Sequence, residues 1–491
     1  MSPMRLLPAL LVGATGCAQI FGIANTTSPD VGPSEVTAKL QRVSIGANVV
    51  TGPFDLSKQT GKFLVDDGTG DLTQVPAMVL GTDTFAATIP TGTPSVLFTL
   101  PDQPTPYLRL WAAPARDQKG NYLVYEHPMA TDASPTAAIT LNVNLPTPYM
   151  TSEALRVEVI GAWTGHTLAG TELPAAAATA INTTILYSMF PSIVGGTAKK
   201  ITTDDVVLVE RYAGNMLNGY YKPPPFVQSE SDTISGDMMP LTADQPLLAM
   251  VTPMSYASRF AAVRPSVMGG GTSWSINAAP GYAYGAIGGV KLHGGAVAAM
   301  DTMIGPTMYA NPFATLGWHA VMYLGSSQAR TFPFGGIMTA LGASIYTVTE
   351  VGSGVLAFDL PAGLPITSSI DQVPLVIDGA EIPLDLTKPV EITTQVDRTG
   401  NTVYQMTLWE MKLSADMMRV EIVPIVDSIT PSDPPRFRLP PELFLVEHYY
   451  FVTFRSMKGG LTGAATGDLQ TVTLPLTVAS ADSAVFKVKG P

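Results

Sequence analysis

Three aspartates crowd one stretch of a chain that is otherwise poor in charge: Asp66, Asp67 and Asp71, within Asp66-Asp67-Gly68-Thr69-Gly70-Asp71. Clustered carboxylate oxygens are hard ligands suited to calcium. The spacing lacks the later glutamate of an EF-hand loop, and Asp-Gly is equally a signal for a tight hairpin turn. The sequence leaves both readings open: a calcium site at Asp66, Asp67 and Asp71, or a solvated turn. The five histidines, His127, His166, His293, His319 and His448, stand singly. None forms the His-x-x-x-His pair that presents two imidazoles to zinc on one helical face. No Gly-x-Ser-x-Gly elbow exposes a serine nucleophile. Neither Gly269-Gly270-Gly271 nor Gly285-Ala286-Ile287-Gly288-Gly289 ends in the Gly-Lys-Ser/Thr of a phosphate loop. Among 22 methionines, Met238-Met239 and Met417-Met418 are isolated pairs, so core filling is expected ahead of copper(I) ligation. These residues lead to the expectation of a non-enzymatic protein that needs no cofactor.

Aromatic side chains offer a different chemistry. Tyr212, Tyr220, Tyr221 and Phe226 flank Lys222-Pro223-Pro224-Pro225, while Trp274, Tyr282 and Tyr284 lie in a glycine-rich region. Rings on an exposed sheet face or loop rim stack on sugars or on a protein partner. Tyr220, Tyr221, Trp274 and Tyr282 are therefore the ligand-binding candidates, although sandwich cores need such rings too.

The elements that must position these residues are strands. Ile139, Leu141, Val143 and Leu145 alternate with Thr140, Asn142 and Asn144, which gives an extended segment one apolar and one polar face. Leu155-Arg156-Val157-Glu158-Val159 repeats the pattern, as does Val472 to Val478, where Pro475 suggests an edge position. Shorter apolar runs, Val43 to Val50, Leu108 to Trp111, Val206 to Val209, Ile345 to Val348 and Val355 to Leu360, are separated by turn formers. Only Ala175 to Ala180 reads as a short helix. With 45 Gly and 42 Pro in 491 residues, long helices are not expected. The fold class is all-β: two or three antiparallel β-sandwich bodies, at 36–135, 136–366 and 367–491. A net charge of −12, with 13% of residues charged, argues against nucleic acid as a partner.

The amino end carries an address. Arg5 precedes the apolar run Leu6 to Val12 and the small residues Gly13-Ala14-Thr15-Gly16, which end at Cys17, the single cysteine. The run is too short to span a bilayer as a helix and fits an export signal. Ala14-Thr15-Gly16-Cys17 resembles a bacterial lipobox, although Ala14 stands where Leu is most common. The resemblance implies a signal peptide of residues 1–16, cleavage before Cys17 and acylation of its thiol. A packed amino-terminal segment with Cys17 as a small hydrophobe is the alternative. Residues 17–35 read as a flexible tether. The start Cys17-Ala18-Gln19-Ile20-Phe21-Gly22-Ile23 resembles predicted myxobacterial surface lipoproteins, and Ala18 in place of an aspartate hints at the outer membrane.

Two weaker resemblances concern the bodies. Thr84 to Pro90, followed by Gly92, resembles a carboxypeptidase regulatory-like, transthyretin-type sandwich. Tyr450, Val452, Phe454 and Ser456 at alternate positions, with Leu439-Pro440-Pro441 upstream, resemble the penultimate strand of a fibronectin type III or immunoglobulin-like domain. The early core tryptophan of that family is replaced by the neighbourhood of Ile392-Thr393-Thr394. The resulting expectation is a lipid-anchored cell-envelope protein, periplasmic or surface-exposed, held to the membrane by its lipid and acting in binding, adhesion or structure towards a protein or glycan. A carbohydrate-binding or carbohydrate-processing surface protein is the alternative.

Overall fold

The computed structural model describes residues 34–490, apart from 69, 101–106, 113–114, 125–130, 192–197, 252–257, 262–267, 282–288, 298–300, 353–354, 358–361 and 417. Cys17, Tyr282 and His127 lie outside the described residues. The chain is all-β, as its alternation requires: among the described residues there are 35 strands in six sheets, with only short helical turns between them. Among the described residues none of these sheets closes into a barrel.

The expected strand over Ile139 to Leu145 forms as Ala138–Asn144, with Ile139, Leu141 and Val143 fully buried and Thr140 and Asn144 bonded to neighbours on the other face. Removing each such side chain from water contributes about 1.5–3 kcal/mol. With Ala180–Leu186 and Ser231–Asp237 it makes a three-stranded sheet. A five-stranded sheet carrying Glu153–Ile160 and Val206–Ala213 packs on that sheet's apolar face.

The largest sheet has fourteen strands. From one edge twelve of them run Val290–Val297, Met268–Ala279, His319–Phe334, Ile337–Glu350, Thr473–Asp482, Tyr449–Gly460, Val403–Leu413, Val420–Thr430, Tyr107–Trp111, Thr93–Leu100, Gly61–Asp66 and Leu72–Pro76, and the other two, Phe486–Lys489 and Ala380–Pro383, branch off at Tyr449–Gly460. Strands from 36–135, 136–366 and 367–491 thus share one ladder. Tyr346 pairs Val478, and Val426 pairs Leu108.

Sandwich partners cover this sheet on opposite faces. The sheet containing Ser34–Ile45 covers Phe63, Val65, Val96, Phe98 and Trp111. A four-stranded sheet of Pro365–Ile370, Val373–Pro374, Val390–Val396 and Arg436–Leu439 covers the other face at Leu64, Leu97, Leu110, Tyr450, Val452 and Phe454. The turn after Ser34–Ile45 is gripped by two buried indoles: Trp163 Nε1 donates to Ile45 O, and Trp318 Nε1 donates to Ala47 O at 2.8 Å.

Three local expectations are corrected. Pro475 is not on an edge: its strand lies between Ile337–Glu350 and Tyr449–Gly460, and the missing N–H is accommodated beside a bulge at Gly459/Gly460. A bulge is the other place where a ladder tolerates proline. Ala175 to Ala180 is a turn leading into a strand, not a helix, with Ala177 at φ +66°. The Arg156/Glu158 face of its strand is covered and not solvated, because Ile160, Leu208 and Tyr212 of that sheet pack into a second core.

Candidate functional site

An open cleft of about 840 Å³ lies where the end of the long sheet diverges from the edge of the four-stranded sheet. Its floor is Leu64 and Leu72, its rim carries Thr93, Ser95, Thr430 and Ser432, and Arg436 and Arg438 stand along one wall. The two arginines alternate with Phe437 and Leu439, which are buried, so both guanidiniums project from one face of the edge strand.

The aspartate cluster of the sequence lies at the mouth of this cleft as a hairpin turn, with Asp66 opposite Leu72 and Gly68 and Gly70 at φ +83° and +114°. The Asp66 carboxylate accepts the Gly68 N–H at 2.9 Å and faces Arg438 Nη1 at 2.5 Å, while Arg438 Nη2 donates to Gly70 O. Of the three aspartates of the calcium reading, Asp66 is thus engaged by Arg438. A guanidinium occupies the place a cation would take, and no group of three or more His, Cys, Asp or Glu gathers as a metal site among the described residues. The wall is extended by Arg436 and Glu391 at 2.6 Å. Asp371 Oδ1 accepts the Glu391 N–H at 2.8 Å. Asp371 and Gln372, at φ +44° and +66°, form the two-residue turn that delivers this carboxylate, the conformation a tight hairpin demands. At the other end Glu442 accepts from Lys62 at 2.9 Å and Gln74 at 3.3 Å, tying the two sheets together. The cleft can therefore offer carboxylate acceptors, guanidinium donors and hydroxyls to a polar ligand.

The aromatic candidates do not form one site. Tyr220 and Tyr221 are successive strand residues and point to opposite faces. Tyr220 meets the Phe313 ring edge-on at 5.3 Å, whereas Tyr221 lies over Gly236 and donates to Ser235 O at 2.6 Å. Trp274 is buried, edge-on to His293 at 4.9 Å. Of the histidines, His166, His319 and His448 each meet one glutamate, Glu172, Glu350 and Glu410, at 2.8, 2.8 and 2.5 Å. Met238 fills the core and Met239 is exposed.

The most perturbed charges were not among the candidates read from the sequence. Glu158 and Glu210 are 1% and 0% exposed, on neighbouring strands, with Arg156 Nη2 at 2.9 Å from Glu158 and the Tyr212 hydroxyl donating to Glu210 at 2.9 Å. Burial raises the Glu158 carboxyl above its ordinary range. Burial and then the charge of Glu158 raise Glu210 well above it. One guanidinium beside two carboxyls in a dry site leaves one of them holding a proton. Ligand access to the pair is closed by its burial. The one available signal was the alternation of Arg156 and Glu158 with Leu155, Val157 and Val159.

No protein-family model matches the chain, and no curated protein matches it.

Proposed function

We propose that this chain is a non-catalytic, lipid-anchored protein of the cell envelope that binds a partner or ligand through its β-sandwich body, with the Arg436/Arg438 cleft as the contact surface. The cleft carries the proposal. It is open, it lies between two covered cores, and ion pairs fix its donors and acceptors in place, so a polar surface docks there without first ordering the site. The lipid anchor at Cys17 and the outer-membrane address rest on the Ala14-Thr15-Gly16-Cys17 motif and on Ala18.

The carboxy-terminal body is read as a fibronectin type III or immunoglobulin-like sandwich. Two observations support this. A four-stranded sheet faces the strands Thr473–Asp482, Tyr449–Gly460, Val403–Leu413 and Val420–Thr430, which are neighbours in that order. The Tyr450 hydroxyl, at the start of its strand, accepts the Leu445 N–H at 2.9 Å, as in the tyrosine corner of such domains. Modules of this kind mostly space or bind.

Labelled palmitate should enter the wild type and not Cys17→Ala, and equal labelling of both would sink the anchor. A photo-crosslinking amino acid at Ser432, in the cleft, should give a discrete adduct on intact cells. An adduct pattern no different from that of the same group at Asp204, an exposed position outside the cleft, counts against the cleft as the contact surface.

A further inference from the structure

We infer that the outward face of the long sheet binds a glycan chain laid across its strands, an inference that rests on reading the protein as a binding protein and gives that reading a ligand class. Ser327 pairs Ser344, Ser344 pairs Ser480, Ser480 pairs Arg455, and Arg455 pairs Gln405. Directly opposed residues share a sheet face, so the register places five hydrogen-bonding side chains in one row over five adjacent strands. At ~4.8 Å per strand the row is roughly 19 Å long. Ser327 is exposed and the other four are half-buried. Ser344 and Ser480 hydroxyls are 2.8 Å apart, and Arg455 Nη1 donates to Gln405 Oε1 at 3.5 Å.

An aromatic platform borders the row. Tyr346, two residues from Ser344 on the same face, stacks on Tyr323 with ring centroids 5.4 Å apart and planes 28° apart. The Tyr323 ring lies over Gly325, where an added Cβ would come within 2.6 Å of the phenol oxygen. Both rings pack against the buried Val321 and Val348, and each tyrosine is half-buried. Beyond Tyr323 the face continues into a groove of about 390 Å³ lined by Ser273, Ser275, Asn277, Lys291 and Asn215. Asn277 Nδ2 donates to Ser275 Oγ at 3.1 Å there, and Lys291 Nζ to Asn215 Oδ1 at 3.4 Å.

This arrangement matches the chemistry of a polysaccharide. Hydroxyl, amide and guanidinium groups recur at the strand interval, comparable with the length of one sugar ring, and they both donate and accept as sugar hydroxyls do. Flat phenol faces suit the C–H faces of pyranose rings. An apolar partner would bury the row's hydroxyls without compensation, and the net charge of −12 disfavours a nucleic acid. Short side chains in the row lose little rotamer freedom on contact, so the face is pre-organised.

The test is a microarray of α- and β-linked hexose, N-acetylhexosamine and uronate oligosaccharides probed with the full chain, followed by titration calorimetry on the best hexasaccharide. We expect at least one glycan class to be retained, with Tyr346→Ala and Ser327→Trp each weakening it about tenfold or more. Ser327 is exposed, so its substitution obstructs the row without disturbing a core, and an unchanged circular dichroism spectrum checks this. Asp204→Ala, at an exposed position outside both the row and the cleft, should leave glycan affinity unchanged. Failure to retain any glycan, or wild-type affinity in both face variants, overturns the inference. A discrete Ser432 adduct alongside that failure would leave the binding-protein reading standing and remove only the glycan face.

Discussion

Glu210→Gln should change how stability depends on pH, and the structure fixes the sign. In the native protein Glu158 and Glu210 are buried against each other with one guanidinium beside them, so the pair keeps a proton that it would lose in the unfolded chain, where a glutamate titrates near pH 4.3. A group whose folded pKa is raised contributes fully below its unfolded pKa, and that contribution is lost as pH rises toward the folded value. One extra bound proton corresponds to a loss of about 1.4 kcal/mol per pH unit. Above pH 5.5 the wild type should therefore lose stability through this pair for as long as the folded protein keeps that proton. Gln at 210 keeps the shape, accepts from Tyr212 and donates to Glu158 without a titrating proton. All other titrating groups are common to both proteins and cancel in the difference. Urea unfolding of both at pH 5.5, 6.5 and 7.5 measures it: the variant should gain on the wild type with each step. A stability difference that does not vary with pH would refute the shared proton.

Other consequences follow from single contacts. Arg211 and Glu153 are each 2% exposed at the side chain and 2.6 Å apart, with Arg211 also donating to Thr147 O and Pro148 O, so Arg211→Met leaves a buried carboxylate unpaired and should cost about 3–5 kcal/mol in chemical denaturation. Gly120→Ala places a methyl 2.1 Å from the Trp111 ring, and about 1–3 kcal/mol of overpacking should appear as a lower thermal midpoint. Arg438→Ala removes a partly exposed pair with Asp66, so its effect on global stability should stay near 1 kcal/mol or less. Faster amide exchange should then appear in the 67–71 turn.

Much of the fold was legible because strand alternation is a local property. The pattern at Ile139 to Leu145 requires one buried face wherever the strand ends up, and Asp-Gly between two apolar runs requires a turn, so the all-β class and the hairpin at Asp66 could be read residue by residue. The same locality explains the misreadings. A polar face such as Arg156 and Glu158 looks solvated until a second layer is known to cover it, and Pro475 looks like an edge residue until its neighbours and the bulge at Gly459/Gly460 are seen. The aromatic candidates were grouped by closeness in sequence, but successive strand residues face apart, which separated Tyr220 from Tyr221.

The sequence by itself determined which residues alternate and where the chain must turn, because those choices depend on neighbours a few bonds away. Tertiary structure alone decided what meets across the sheets: Arg438 with Asp66 in the cleft, Glu158 with Glu210 in the dry layer, and Ser327, Ser344, Ser480, Arg455 and Gln405 in one row. Such meetings are set by strand order and layer stacking, which arise from burying all the apolar faces at once, so no short stretch of the chain contains them.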